Sequence, residues 1–320
     1  NLNNGRFQLV NSDLVSASST NTVLFRDFDL EGDLDLLLLS KSGNYFYRNN
    51  SDSTFIELGI NAGLRDEGFH GKDIVSADFD DDGDVDLFLI SVDGGYQYFN
   101  NLRQGFFQSE KNRIYFNGID VPGALAAGDY NNDGFVDIFV TDINGENHQL
   151  YDNNGNGSFT LNTSWNSKLD RNTKITGLDV SFFDFNNDGY LDILIAGEYK
   201  SSSSQTTGLH LYYNDQKEKF IDATKLLPGM LGPFDKIETS DFDNDGDLDL
   251  FLASKSGALK ILRNDAGNIN NYFKLRLKGL RAGSGKNNYF GIGAKVEVKS
   301  GDLYQVKYVD KLTTLFGLGN

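Results

Sequence analysis

Asp241-Phe242-Asp243-Asn244-Asp245-Gly246-Asp247-Leu248-Asp249 runs straight into the apolar stretch Leu250-Phe251-Leu252. Acidic side chains stand at positions 1, 3, 5 and 9 of this loop, and glycine stands at position 6. Short carboxylates on alternate residues of a tight loop aim their oxygens at one point and repel one another there. A hard cation that accepts roughly six to eight oxygens resolves the repulsion, and calcium is such a cation. The glycine gives the backbone the sharp turn needed to wrap an ion.

The stretch occurs five times. The other copies are Asp27-Phe28-Asp29-Leu30-Glu31-Gly32-Asp33-Leu34-Asp35, Asp78-Phe79-Asp80-Asp81-Asp82-Gly83-Asp84-Val85-Asp86, Asp129-Tyr130-Asn131-Asn132-Asp133-Gly134-Phe135-Val136-Asp137 and Asp184-Phe185-Asn186-Asn187-Asp188-Gly189-Tyr190-Leu191-Asp192. Their first acids are 51, 51, 55 and 57 residues apart, a period that marks an array of supersecondary units. One such cluster alone is more often an ordinary hairpin turn. Repetition of all four oxygen positions in five copies favours calcium. The pattern predicts side-chain oxygens from positions 1, 3, 5 and 9, and a backbone carbonyl from position 7. That carbonyl explains why position 7 varies among Asp33, Asp84, Phe135, Tyr190 and Asp247. Asn131 and Asn186 lower the charge of the third and fourth loops, and Glu31 makes the first irregular. The second and fifth loops are therefore expected to bind most tightly, since ligand charge helps set affinity.

The 320 residues include 35 glycines and only 3 prolines, which suits short strands joined by tight turns. A net charge of −17 argues against nucleic acid and against anionic membrane surfaces. Five calcium ions would bring that charge to about −7, an ordinary value for a folded domain. Cysteine is absent, which excludes disulfides, thiolate metal sites and a cysteine nucleophile. No apolar run approaches the roughly eighteen residues of a membrane span.

Each unit reads alike. Small residues such as Ala124-Leu125-Ala126-Ala127-Gly128 precede the loop, as crowding near a central axis requires. An apolar strand follows the loop, then a polar turn, then a strand with aromatics such as Tyr96 and Tyr98. An Asn/Gly turn and a last strand around a recurring Phe end the unit. Four short strands per unit predict an all-β propeller over residues 1–270, with a small β element over 271–320. Asn3 to Leu9 resembles the tail of a unit, and Glu198 to Gly208 reads as a polar surface insertion. The aromatic at loop position 2 is expected to pack between neighbouring blades.

Catalytic signatures are not apparent. His70, His148 and His210 lack metal spacing, no G-x-S-x-G elbow occurs, and most carboxylates belong to the loops. Gly283-Ser284-Gly285-Lys286 lacks both ends of a phosphate-loop pattern and reads as a turn. Trp165, Tyr45, Tyr47, Tyr96, Tyr98 and Tyr212 have the surfaces to stack on sugars, but packing is the more ordinary role.

The repeats resemble the FG-GAP/VCBS type, through DFDNDGDLDLFL (241–252) and YYNDQKEKFIDAT (212–224). The end resembles the ASPIC/UnbV domain, through YFKLRLKG (272–279), GIGAKVEV (291–298) and FGLG (316–319). The combination is similar to the cartilage acidic protein type. That resemblance implies a propeller, usually seven-bladed, in a secreted or cell-surface setting, and implies no known reaction. Five loops instead of seven, and a terminal domain without the tryptophan-containing end, are read as a piece of a longer polypeptide.

The function expected is a calcium-stabilised extracellular binding or adhesion module without catalytic activity, with an extracellular protein or glycan as partner. A carbohydrate-binding lectin and an accessory part of a polysaccharide-acting enzyme are the alternatives.

Overall fold

The computed structural model describes residues 14, 20–52, 54–65, 68–110, 113–114, 118–166, 175–199, 208–216, 220–229, 232–265, 267–280 and 288–320. The Asn3–Leu9 tail, the Ser201–Ser204 tract and the Gly283–Lys286 turn lie outside these residues.

Consecutive antiparallel strands form blades. The first contains β1 (Thr20–Arg26), β2 (Asp35–Ser40), β3 (Gly43–Asn49) and β4 (Phe55–Glu57). The second contains β5 (Gly71–Ala77), β6 (Asp86–Ser91), β7 (Tyr96–Asn101) and β8 (Phe107–Glu110). The third contains β9 (Pro122–Gly128), β10 (Asp137–Asp142), β11 (Gln149–Asn153) and β12 (Phe159–Leu161). The fourth contains β13 (Asp179–Phe183), β14 (Asp192–Ala196), β15 (Leu209–Asn214) and β16 (Phe220–Asp222). The fifth has three described strands, β17 (Lys236–Ser240), β18 (Asp249–Ala253) and β19 (Leu259–Leu262), one fewer than the repeat pattern predicts. After β19 the chain passes through a 3-10 turn at Gly267–Ile269 into the C-terminal element and does not fold back along the blade.

The architecture is a five-bladed β-propeller, and its packing explains the composition of each strand. The second strand of a blade is covered on both faces, so it reads as an unbroken apolar run. In β6, Leu87 and Leu89 pack toward the first blade, while Phe88 and Ile90 pack toward the third. Inner strands need small residues because neighbouring backbones approach closely. A Cβ on Gly123 would lie 1.8 Å from Gly177 O of the next blade.

Adjacent blades are joined by one repeated contact. The position-2 aromatic of a blade meets the last-strand Phe of the next, as Phe28 meets Phe107 and Phe79 meets Phe159, with ring centroids 5.5 and 5.7 Å apart. The asparagine near the end of the third strand then donates to the carbonyl of that same aromatic. Asn101 donates to Phe28 O at 3.3 Å, Asn153 to Phe79 O at 3.0 Å, Asn214 to Tyr130 O at 2.9 Å and Asn264 to Phe185 O at 2.6 Å. Each of these amides also reaches position 8 of its own loop, as Asn153 reaches Val136 O at 3.0 Å. Asn153→Ala removes both bonds from a buried site and is expected to cost about 1–3 kcal/mol. A urea midpoint at unchanged m-value checks it, and an unshifted midpoint would remove the latch from the energetics.

Phe28, Phe79 and Tyr130 are buried as expected, whereas Phe242 is 46% exposed. Phe242 belongs to the fifth blade, whose outer face also exposes Leu259 and Ile261. On the first blade Val23 and Phe25 are exposed, and Asn49 makes no bond to Phe242 O among the described residues. Among the described residues, the latch that joins the other neighbours is therefore not formed between the fifth and first blades.

The C-terminal element comprises β20 (Asn271–Leu275), β21 (Lys295–Ser300), β22 (Leu303–Tyr308) and β23 (Thr314–Gly319), paired β20 with β23 and β21 with β22. It covers the propeller axis. Arg26, Ser76, Ala127, Phe182 and Thr239, one from the inner region of each blade, face Val306 to Leu315 across a cavity of about 590 Å³.

Candidate metal centres

All five acidic loops share one backbone. Position 4 is left-handed in each, with φ of 58° at Leu30, 60° at Asp81, 59° at Asn132, 58° at Asn187 and 64° at Asn244. Asn and Asp tolerate this region and leucine does not, so Leu30 is held there by the loop around it. Position-6 glycines follow with φ between 89° and 105°. The first acid anchors the turn. Asp78 accepts the amides of Asp82 and Gly83 at 3.0 Å each, Asp129 those of Asp133 and Gly134, and Asp184 those of Asp188 and Gly189. In the first loop Asp27 accepts Gly32 N at 3.1 Å.

Position 9 has a role the sequence did not disclose. Asp35, Asp86, Asp137, Asp192 and Asp249 are fully buried. Each accepts the amide of its own position-2 aromatic on one oxygen and the amide of the latch asparagine on the other. For Asp137 these are Tyr130 N at 3.3 Å and Asn153 N at 2.9 Å. The carboxylate thereby staples the loop to the third strand. Its recurrence was visible in the sequence, but the partner on another strand was not.

The structure brings together three acids in three of the loops: Asp29, Asp33 and Asp35; Asp78, Asp80 and Asp86; Asp241, Asp243 and Asp249. Within each group one carboxylate oxygen from each residue lies within 4.8 Å of the others. In the first loop this includes Asp33 by its side chain, where the sequence pattern expected its carbonyl. Glu31, Asp82 and Asp245 at position 5 stand outside these groups. In the third and fourth loops the position-3 amide donates to position 5, Asn131 to Asp133 at 3.0 Å and Asn186 to Asp188 at 3.1 Å. At position 7, Asp84 pairs with Arg103 at 3.0 Å and Asp247 accepts Gly267 N at 3.2 Å, while Phe135 and Tyr190 supply only their backbone to the loop.

Several of these oxygens are buried and lack a hydrogen-bond donor. They are Asp27 Oδ1, Asp33 Oδ1, Asp80 Oδ1, Asp247 Oδ1 and Asp241 Oδ1, the other oxygen of Asp241 being met by the Lys274 ammonium. A buried carboxylate oxygen without a donor is costly unless a cation meets it. The basicity of the group agrees. Burial pushes Asp35 and Asp86 up to about 7. Burial with Asp133 beside it takes Asp129 to about 7, and burial with Asp29 beside it takes Asp27 to about 6. Asp137 and Asp192 lie well above the usual carboxylate range through burial. Desolvation and like charge disfavour ionisation here, and a bound cation reverses both. The donor set is all oxygen, which suits a hard divalent cation.

The sequence of these repeating units matches one known repeat. The model of the FG-GAP-like repeat matches residues 27–89, 78–140, 129–195 and 184–252. The chain belongs to the FG-GAP-like repeat family. The matches run from one acidic loop through the second strand of the next blade, so each contains two loops of the FG-GAP-like array. Among curated proteins, the chain is 26% identical to cartilage acidic protein 1 of Homo sapiens over 108 residues, 31% of this chain and 15% of that protein. It is 25% identical to the Xenopus tropicalis protein over the same length, 31% of this chain and 16% of that one. The chain thus spans about a sixth of the length of these relatives. Among solved structures, an Agrocybe aegerita lectin described for specific recognition of non-reducing terminal N-acetylglucosamine superposes with a TM-score of 0.45. Identity is 17%, over 77% of this chain and 67% of that one. The pore of the Photorhabdus luminescens Tc holotoxin gives 0.37 at 16% identity, over 77% of this chain and 14% of that one.

The histidines and the tryptophan take structural places in the FG-GAP-like blades. His148 and His210 are buried between strands, and His70 pairs with Asp93 at 2.7 Å. Trp165 is buried edge-on against Phe139, Tyr212 and Phe220, and its Nε1 donates to His148 O at 3.2 Å. Tyr45, Tyr47, Tyr98 and Tyr212 are buried too, so packing is their observed role. No helix among the described residues is long and apolar enough to cross a membrane.

The fifth loop departs from its siblings. Asp241 accepts no amide and instead pairs with Lys274 of β20. Nothing in the repeat pattern announces this, because Lys274 lies beyond the last repeat.

Proposed function

We propose that the chain is a calcium-stabilised extracellular binding or adhesion module that works without catalysis. The observation that carries the reading is the set of buried carboxylate oxygens without donors, gathered on loops of one shared backbone. About five Ca²⁺ ions would be held, with positions 1, 3, 5 and 9 as side-chain ligands and position 7 as a carbonyl or, at Asp33, a carboxylate. Asn131 and Asn186 would turn their carbonyl oxygens to the ion. Calcium would supply charge neutralisation and loop order, and its ligands come from the chain itself.

A secreted or cell-surface setting agrees with sites that need abundant external calcium. The partner is an extracellular protein or glycan. A net charge of −17 disfavours nucleic acid.

Calcium titration of variants that each keep one loop intact tests the metal assignment. The second loop is expected to be the tightest, because it combines four ligating acids with an undisturbed first acid. The fifth falls below it, because the Lys274 ammonium already lies on Asp241. The third and fourth are weaker through Asn131 and Asn186. Equal affinity at every loop would contradict the charge ordering. Turnover of an extracellular polysaccharide by the purified chain would overturn the non-catalytic part.

A further inference from the structure

The C-terminal element sits on the face of the propeller that carries the acidic loops, and it touches all five. At the first loop the side chain of Asn288, held by Ile292, lies beside Asp27 and favours its ionised form. At the second, Lys295 Nζ lies 2.8 Å from Asp81 Oδ1 at position 4. At the third, the Tyr304 ring covers Gly134, where a Cβ would lie 3.1 Å from it. At the fourth, Leu303 covers Gly189, where a Cβ would lie 2.5 Å away, and Gly319 N donates to Asn187 O at 2.9 Å. At the fifth, Tyr272 leaves no room for a Cβ on Gly246, the gap being 1.9 Å, and its hydroxyl donates to Asp245 O at 3.3 Å.

These contacts read loop shape. Three of them rest on a position-6 glycine in its left-handed turn, and two grip a position-4 residue in its own left-handed turn. That backbone is the one a wrapped cation stabilises. A loop that relaxes under its own carboxylate repulsion withdraws the surface on which Tyr304, Leu303 and Tyr272 rest. The glycine therefore has two uses, allowing the turn and admitting the covering side chain.

We propose that β20 to β23 form a lid over the axial cavity whose seating is coupled to calcium at the five loops, an inference that rests on the calcium reading given above. Val306 to Leu315 form the roof of that cavity, so lid seating and cavity closure are one event. Lys311 adds a tie to the ring itself, donating to Thr239 O at 2.6 Å. Lys274 works against the coupling most directly, at the fifth loop, because its ammonium and the ion share Asp241. At the other four loops no lid cation pairs directly with a first acid among the described residues. Lys307 and Lys295 lie near Asp184 and Asp78 but bond elsewhere, to Leu315 O and Asp81, so the loop-shape contacts set a positive net coupling. Coupling is reciprocal: if calcium seats the lid, the seated lid tightens calcium by the same factor.

The absence of cysteine makes the test clean, since introduced pairs are the only thiols. Spin labels at the exposed Asp302 and Thr160 report lid against ring, and labels at the exposed Lys41 and Lys255 report the ring alone. With calcium the lid–ring distance distribution is expected to be narrow. With chelator at low temperature it broadens, while the ring pair holds. A lid–ring distribution unchanged by chelation, in a protein that binds calcium calorimetrically, would overturn the proposal.

The reciprocal arm covers the case in which the chelated ring also loosens. Leu303→Ala with Tyr304→Ala, at saturating calcium, is expected to broaden the lid–ring distances and to weaken calcium binding at least about fivefold. A released lid with calcium affinity unchanged would overturn the coupling. Absence of any calcium heat in the unmodified protein would instead remove the calcium reading on which the proposal rests.

Discussion

Removal of calcium is expected to lower the melting temperature of this chain by on the order of 10 °C or more. If free calcium stands about tenfold above each dissociation constant, each site contributes roughly RT ln 11, about 1.4 kcal/mol. Five independent sites give about 7 kcal/mol, comparable to the whole stability of a typical domain. The effect also has a pH signature. Without the ion, Asp35, Asp86 and Asp129 titrate at about 7 and Asp27 and Asp184 at about 6, against 3.8 when unfolded. Raised values in the fold mean that the metal-free protein has this stability in full below about 4 and loses it as pH rises through 6 to 7. The calcium-loaded protein behaves oppositely, because ions require ionised ligands and lose them as pH falls. The gap between loaded and chelated melting temperatures should therefore be wider at pH 8 than at pH 5. Thermal melts in calcium and in chelator at both values check this. Chelated protein that melts unchanged would reduce the acidic loops to turns.

Asp137→Ala is the single substitution expected to cost most at a loop, and its cost should persist in chelator. Asp137 is fully buried and accepts Tyr130 N and Asn153 N. Alanine strands both amides, at about 1–3 kcal/mol each, or roughly 2–6 kcal/mol together. Asp137→Asn retains one acceptor and should lose less. Asp133→Ala gives the contrast, since Asp133 is exposed and is expected to matter chiefly when calcium is present. Denaturant unfolding of the three variants with and without calcium separates the staple from the ligand. Equal losses from Asp137→Ala and Asp133→Ala in chelator would contradict the division of roles between positions 9 and 5.

Much of the fold was legible because its determinants are local. Five copies of one acidic loop, small residues before it and an apolar run after it specify a blade without reference to any neighbour. The position-2 aromatics were readable as blade-to-blade packing, which Phe28, Phe79 and Tyr130 display. Phe242 departs because, among the described residues, no neighbouring blade covers the face beside it. The left-handed turn at position 4 was half legible: Asp81, Asn132, Asn187 and Asn244 are residue types suited to it, and Leu30 is not. The latch asparagines recurred visibly, but their acceptors lie on another blade, 73 residues away for Asn101 and 84 for Asn214. The lid contacts were beyond reach, since Lys295 meets Asp81 across 214 residues and no periodicity connects them. In the first loop the side chain of Asp33 enters the acidic group, a choice that depends on side-chain direction and not on spacing.

The most direct test of calcium at these loops is a crystal structure of the chain grown with calcium, with anomalous scattering used to locate the ions. The expected result is an ion in each acidic loop, with metal–oxygen distances of about 2.3–2.6 Å to positions 1, 3, 5 and 9 and to the oxygen from position 7. Loops of the same backbone closed by water alone, or ions bound elsewhere on the propeller, would contradict it.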